Sequence, residues 1–260
     1  MADVDLGWFT GLKDRDLRRD RIIIAEGRLV AERTAAVCEP LGILCLPAAL
    51  SDAEAISKGS IPIRVMNEAE IGKLTGFPFH RGLLLAARRP EIPGICDETV
   101  QDSPLISSGR RLVVLPHITD PENLGAIIRT AAALGWDGVL LGSGSADPFS
   151  RRVLRCSMAA VFALPLYAFA TVHELELLKT KGWELWAAML HPEAREPEAL
   201  GSVAKLGVIL GNERFGIEPA LQRLCSHLVA IPQARSDVDG VDSLNVAAAA
   251  AILLWEGRRL

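Results

Sequence analysis

The chain is expected to fold as an α/β protein with a mainly parallel sheet covered by helices. Three observations lead there. Short apolar runs alternate with amphipathic or capped stretches along the whole length. Half of the residues are hydrophobic, ample for a core. Two apolar runs near the end, 206–210 and 228–231, stop abruptly at Gly211-Asn212-Glu213 and at Pro232. Buried strands of such sheets deliver backbone and side chains to a pocket in this way.

Taken in order, a charged helix over 14–20 leads into a strand at 21–25 and a helix at 26–38. Pro40-Leu41-Gly42 breaks that helix. A strand at 43–46 follows, then a short helix at 51–57 with Ser51 as its N-cap. A strand at 61–65, a helix near 67–74, the turn Phe77-Pro78-Phe79-His80-Arg81-Gly82 and a strand at 83–87 complete a small α/β unit of ordinary domain size. Residues 88–108 hold Pro90, Pro93 and Pro104, mixed charge and little periodicity, which marks a linker. The division is therefore 1–105, a small domain with its linker, and 106–260, a larger one.

The second unit opens with a strand at 112–115, a helix at 123–134, a strand at 139–141 and a loop at 142–147. A helix near 149–158 leads to a strand at 164–169, and Thr171 caps a helix over 172–180. A strand at 183–189 precedes the two runs already described. An alanine-rich helix follows Ser243, a good N-cap.

Net charge is −4 and the pI about 5.8, with acids and bases spread evenly along the chain. No global field favours nucleic acid, so any RNA binding must use local arginine patches. The five cysteines are scattered and never form C-x-x-C, which points to reduced cytosolic thiols and away from a zinc site. The five histidines lack metal-ligand spacing. The start carries no signal-peptide pattern, and the longest apolar run, 246–255, falls short of the ~18 residues needed to span a bilayer. A soluble, cytoplasmic protein with no metal is expected.

Three clusters can carry chemistry. In the helix at 123–134, Leu124, Ile127, Ile128, Ala131 and Leu134 form a core stripe. The adjacent face holds Gly125, Ala126, Ala132, Ala133 and one long side chain, Arg129. Such a face lets a backbone or substrate approach while the guanidinium projects over it; the plainer reading is a solvated surface arginine. Asp120 and Asn123 are cap-type residues, Pro121 suits a helix start, and a helix N-terminus can hold an anion. At Gly211-Asn212-Glu213-Arg214-Phe215-Gly216, glycine permits close approach, and Glu213 could orient an arginine by a bidentate pair or simply sit in a surface turn. At Asp242-Ser243-Leu244-Asn245, Asn245 is a poor helix former that can bond neighbouring loops. G-x-G-x-x-G, G-x-S-x-G and Walker A are absent, which disfavours a nucleotide-dependent oxidoreductase, a serine hydrolase and a P-loop enzyme.

These residues resemble the SpoU (TrmH-type) RNA ribose 2′-O-methyltransferases of the SPOUT superfamily. The matching motifs, in order, are D-P-E-N-L-G-A-I-I-R-T-A at 120–131, L-G-N-E-R-F-G at 210–216, and I-P at 231–232 followed by S-L-N-V at 243–246. Asp147-Pro148-Phe149-Ser150 with Arg155-Cys156-Ser157-Met158 is similar to the connecting segment of that family. H-R-G-L-L-L-A-A at 80–87 looks like the close of its small L30e-like RNA-binding domain. The resemblance implies a SPOUT-type parallel sheet with a C-terminal trefoil knot, a feature pattern reasoning alone never proposes. It implies S-adenosylmethionine as cofactor, methyl transfer to a ribose 2′-hydroxyl of rRNA or tRNA, and a homodimer. Carried over, Gly211, Ile231 and Leu244 line the cofactor pocket, and Asn123, Arg129, Glu213, Ser243 and Asn245 form the active site. Arg129 acts there as base or as a clamp on the adjacent phosphate; arginine as a residue type rarely gives up its proton.

The sequence departs from the family in three places. Residues 233–242 are longer and more acidic than expected, with Asp237, Asp239 and Asp242. Ala159 and Ala160 stand where a glycine usually follows Ser-Met, and the last helix has alanine where serine is common. Arg151, Arg152 and Arg155, with Arg81, Arg88 and Arg89 in the other unit, are the candidate RNA contacts, which position phosphates without reading sequence. The alternative function, from another class, is a catalytically idle RNA- or ribosome-binding module on the same fold.

Overall fold

The computed structural model describes residues 3–101, 103–212, 215–234 and 243–258. In chain order, α1 (Asp14–Arg19), β1 (Ile22–Glu26), α2 (Arg28–Val37), β2 (Pro40–Cys45), α3 (Leu50–Ser57), β3 (Ile63–Val65), α4 (Glu68–Thr75) and β4 (Leu83–Arg88) come first. There follow α5 (Glu98–Gln101), α6 (Pro104–Ser108), β5 (Arg111–Leu115), α7 (Pro121–Ala133), β6 (Gly138–Gly142), α8 (Arg151–Cys156), β7 (Leu166–Phe169) and α9 (Glu176–Thr180). The chain closes with β8 (Glu184–Ala188), β9 (Leu206–Leu210), α10 (Pro219–Leu224), β10 (His227–Val229) and α11 (Val246–Gly257). These elements form two compact units, Met1–Glu91 with Asp147–Phe162, and Ile92–Ala146 with Ala163–Leu260.

The first unit is built on a mixed sheet of order β1-β4-β2-β3, in which β4 runs antiparallel to both neighbours and β3 pairs parallel with β2. Ile22, Ile24, Leu44, Leu84 and Ala86 pack with Phe9, Ile71 and Phe79 on one face. Asn67 and Glu70 start α4 with a capping box: the Asn67 side chain accepts from Glu70 N, and Glu70 Oε2 accepts from Asn67 N, both at 2.9 Å. Two sequence expectations change here. Pro40-Leu41-Gly42 does not merely end a helix; it is paired strand, with a register irregularity between Pro40 and Gly42. The third helix starts at Leu50 without a side-chain cap, so Ser51 lies inside it.

Residues 147–162 belong to this first unit, so the units do not coincide with a division at 105/106. Arg89 holds the segment with two short bonds to Asp147, 2.8 and 2.7 Å, both side chains about 15% exposed. Arg33 adds a bond to the Met158 carbonyl at 2.7 Å. After α8 the chain turns in a Schellman motif: Ala159 N donates to Leu154 O and Met158 N to Arg155 O. Met158 and Ala159 have φ of 53° and 60°. Both values lie in the left-handed region, which costs each non-glycine residue about 1 kcal/mol.

The second unit is the parallel α/β sheet expected from the sequence, six strands in the order β10-β8-β9-β5-β6-β7 with every pair parallel. β5, β6 and β9 are buried at every position, because helices cover both faces of such a sheet and its strands read as continuous apolar runs. The stretch 92–108 is no free linker. Pro93 O and Ile95 N bond Ala168 at 2.9 and 2.8 Å, and Ile95, Val100, Leu105 and Ile106 enter the core with Leu112, Val114 and Trp183. α11 packs along α7 and β9. Trp136 Nε1 donates to Leu254 O at 3.0 Å. The buried Arg111 points its guanidinium at the far end of α11, donating to the Gly257 carbonyl and, at 2.9 Å, to Val203 O. A cation at a helix C-terminus meets the negative end of its dipole.

Candidate functional site

Three adjacent parallel strands, β10, β8 and β9, end on the same side of the sheet, and a cavity of about 290 Å³ lies across their carboxyl ends. Open α/β sheets hold their ligands at this position. β8 contributes Ala188, Met189 and Leu190; β9 runs out into Leu210, Gly211 and Asn212; β10 leads to Ala230 and Ile231. Ser243, Leu244 and the first turns of α11 close the opposite wall. The lining is mostly apolar side chains and small residues, with Asn212, Gln233 and Ser243 as its polar members and no charged residue among the described ones.

Gly211 is required by geometry. A Cβ there would lie 2.6 Å from the carbonyl carbon and oxygen of Gly216 and 2.7 Å from Ile217 Cγ1. The chain folds back so tightly because Asn212 and Gly216 exchange both backbone bonds, 3.0 and 2.8 Å, and Gly216 has φ +66°. Asn212 itself is buried, and its amide donates to His117 O at 3.1 Å while its oxygen accepts from Phe215 N at 3.2 Å. It thus ties the end of β9 to the loop that leaves β5. That loop is braced in turn by Ser145, whose hydroxyl donates to Leu115 O at 2.9 Å and accepts from Ile118 N at 3.0 Å. Gly142 and Gly144 leave no room for a Cβ against Pro116 and the His117 ring. They serve close packing, which the missing third glycine of a dinucleotide fingerprint did not disclose.

The braced loop delivers the N-terminus of α7. Asp120 caps it, accepting from Glu122 N and Asn123 N at 2.8 and 2.9 Å. Asn123 Oδ1 accepts from Asn245 Nδ2 at 3.0 Å. Asn245, not Ser243, is the N-cap of α11: its oxygen accepts from Ala247 N and Ala248 N at 2.9 and 3.3 Å. Asn245 therefore couples the starts of two helices through one side chain. Arg129 lies on α7 six residues further on, roughly 9 Å along the axis from Asn123. It is exposed and does not line the cavity.

Gly211, Ile231, Ser243 and Leu244 thus meet at one cavity, and Asn123 and Asn245 meet by a hydrogen bond. Glu213 lies outside the described residues, as do Asp237, Asp239 and Asp242 of the acidic stretch. Asn212 is the residue the sequence reading passed over, although its flanking glycines marked the turn. Among the described residues no three His, Cys, Asp or Glu side chains are grouped to hold a metal, and no helix is long and apolar enough to cross a membrane.

The arginines proposed for RNA differ in their commitments. Arg151 lies over the Phe77 ring at 4.3 Å, its Nε buried without a hydrogen-bond partner among the described residues, and burial pushes the guanidinium below its ordinary range. Arg81 Nε stands 3.4 Å from Glu26. Arg88 is half exposed near Glu39, and Arg89 is taken up by Asp147. Arg152 is exposed and Arg155 half-buried on α8.

The arrangement is a parallel α/β sheet with a cavity at its strand ends, walled by a capped helix that returns onto the sheet. The chain belongs to the SpoU rRNA methylase family, whose model matches residues 110–255. It is 35% identical to an uncharacterized tRNA/rRNA methyltransferase of Mycobacterium bovis, over 99% of this chain and 89% of that protein. It is 30% identical to the 23S rRNA (guanosine-2′-O-)-methyltransferase RlmB of Acinetobacter baylyi, over 76% and 79%. The solved structure of an AdoMet-bound rRNA methyltransferase from Sinorhizobium meliloti superposes with a TM-score of 0.80 at 25% identity, covering 97% of this chain and 93% of that one.

Proposed function

We propose that this protein is an S-adenosylmethionine-dependent methyltransferase that acts on a ribose 2′-hydroxyl of ribosomal or transfer RNA. The observation that carries the reading is the cavity at the ends of β10, β8 and β9, where Gly211, Ile231 and Leu244 line one space. The residues fit the cofactor: Met189, Leu210, Ile231 and Leu244 offer apolar contact to an adenosine, and Gly211 with Gly216 exposes backbone at close range. Bound there, S-adenosylmethionine supplies a methyl group on a positively charged sulfur. The relatives named for ribose methylation, and the AdoMet-bound neighbour, support the same reading.

The chain's own part is to position and deprotonate the attacking hydroxyl, since in-line transfer depends on alignment. Arg129 is assigned to the hydroxyl or its neighbouring phosphate, with Glu213 as its orienting partner. Asn123 and Ser243 are assigned to the substrate ribose. Asn245 commits its oxygen to capping α11, so we assign it a positioning role through its bond to Asn123. Arg81, Arg152 and Arg155 are assigned to the RNA backbone; Arg151, packed on Phe77, contributes less. Calorimetry with S-adenosylmethionine is expected to show one site per chain. No binding by purified, folded protein would leave the idle RNA-binding module as the better reading.

The same proposal includes the knot and the dimer. The sheet order and the return of α11 onto α7 support a trefoil path. Ala248, Ala251, Ile252 and Trp255 are exposed along one face of α11, an apolar stripe that supports association of two copies. Equilibrium sedimentation is expected to give a dimer at micromolar concentration, and a monomer there would remove it. The five free, scattered cysteines support a cytoplasmic location, which cell fractionation tests.

A further inference from the structure

We propose that Gln233 reads the adenine of S-adenosylmethionine, its side-chain amide meeting the 6-amino group of the base. The proposal rests on the methyltransferase reading above and adds a residue that sets which purine the site accepts. Among the described residues, three polar side chains line the cavity: Asn212, Gln233 and Ser243. Asn212 commits both ends of its amide to the fold, one to His117 O and one to Phe215 N. Ser243 stands exposed where the wall leads into α11. Gln233 is half-buried, and its Nε2 donates to Ile231 O at 3.1 Å. That bond fixes which way the amide faces, because a carbonyl can only accept. Oε1 is left as an acceptor with no partner among the described residues. An acceptor in apolar surroundings calls for a donor.

The strand order says which donor. The sheet runs β10-β8-β9-β5, and α7 follows β5. The loop between them is tied to Asn212 at the end of β9, and Asn123 at the start of α7 meets Asn245 at the start of α11. The residues assigned to the substrate therefore gather at the β9 end of the cavity. Gln233 follows β10, two strands away, roughly 10 Å at ordinary strand spacing. The methyl must leave toward the substrate residues, so the sulfur belongs at the β9 end and the base toward β10. The donors of the cofactor are its ammonium, its ribose hydroxyls and the 6-amino group of adenine, and the last is farthest from sulfur. Met189, Leu190 and Ile231 give that end apolar surface for a flat base. Glutamine is also an amide that fits adenine, its oxygen accepting from N6 and its nitrogen donating to N7. Nε2 keeps a second hydrogen for this after its bond to Ile231 O. Gln233 opens the stretch 233–242, where the sequence leaves the family pattern. A base with a 6-oxo group would set oxygen against oxygen.

The test is calorimetry on wild type, Gln233→Met and Gln233→Ala with S-adenosylhomocysteine and S-inosylhomocysteine. These probes differ only in the group at purine C6 and the proton at N1, and they carry no methyl to transfer. Wild type is expected to bind the adenosine probe roughly thirty-fold more tightly than the inosine probe. Gln233→Met keeps the length of the side chain but loses the amide. It should bind the adenosine probe about ten-fold more weakly and the inosine probe as wild type does, which narrows the preference to about three-fold. Gln233→Ala should show the same narrowing. The proposal is overturned if wild type binds both probes alike, or if Gln233→Met keeps the affinities of wild type. It is equally overturned if the variants lose affinity for both probes by the same factor, since the amide would then act on the cavity wall or on another part of the cofactor. Wild type that binds neither probe is a separate result, which sinks the methyltransferase reading and this proposal with it.

Discussion

Gly211→Ala is expected to destabilise the protein by about 2 kcal/mol and to weaken S-adenosylmethionine binding at least ~100-fold. The added methyl would fall 2.6 Å from the backbone of Gly216 and 2.7 Å from Ile217 Cγ1. Backbone cannot swing aside as a side chain can. The end of β9 and the returning turn must part, which breaks the two bonds between Asn212 and Gly216 and pulls Asn212 from His117 O. All of these groups wall or brace the cavity, so the stability cost and the affinity loss have one origin. Two controls separate this from a general intolerance of alanine. At Gly144 a Cβ meets the His117 ring, which can rotate. At Gly216 there is open space but a φ of +66°, so alanine costs only ~1 kcal/mol of backbone strain. Thermal unfolding and calorimetry on the three variants check the order. Wild-type cofactor affinity in Gly211→Ala would show that the cofactor lies elsewhere.

Where the sequence was informative, the signal was local. Continuous apolar runs at 112–115, 139–141 and 206–210 are what a sheet covered on both faces demands, and they lie within β5, β6 and β9. Gly211, Ile231 and Leu244 were brought together by the family resemblance, and in the fold they line one cavity. What escaped was decided over long distances. Nothing near Asn212 shows that its amide reaches His117, 95 residues earlier. Ser243 and Asn245 are both good caps, so the local pattern could not choose; the choice of Asn245 goes with its bond to Asn123. Residues 147–162 read as one more helix of the larger unit, yet Arg89 and Arg33 hold them to the smaller one. The prolines at 90, 93 and 104 suggested a linker. Ile95, Val100, Leu105 and Ile106 show no period because α5 and α6 are too short to display one, although all four are buried.

Arg129→Ala is expected to lower kcat by on the order of 10²–10⁴ while leaving the affinity for S-adenosylmethionine within about two-fold. The two halves of this result come from one piece of geometry. Arg129 stands on α7, and the cavity is walled by the ends of β8, β9 and β10 and by α11. Removing an exposed side chain that does not line the cavity leaves its wall unchanged. The neighbours Gly125, Ala126 and Ala133 on that face are too small to take over the work of a guanidinium. If Arg129 handles the hydroxyl or the phosphate beside it, the loss falls on the chemical step and on the placement of the ribose. Arg129→Lys then separates two ways of working. A lysine keeps the charge but not the planar fork that grips a phosphate through two parallel bonds. We expect Arg129→Lys to stay near the level of alanine, since a clamp that aligns a hydroxyl needs direction as well as charge. Recovery to within ten-fold of wild type would favour a point charge instead. Equal loss of kcat and cofactor binding in Arg129→Ala would refute the role altogether, because the residue would then be acting through the fold of α7 and not on the substrate.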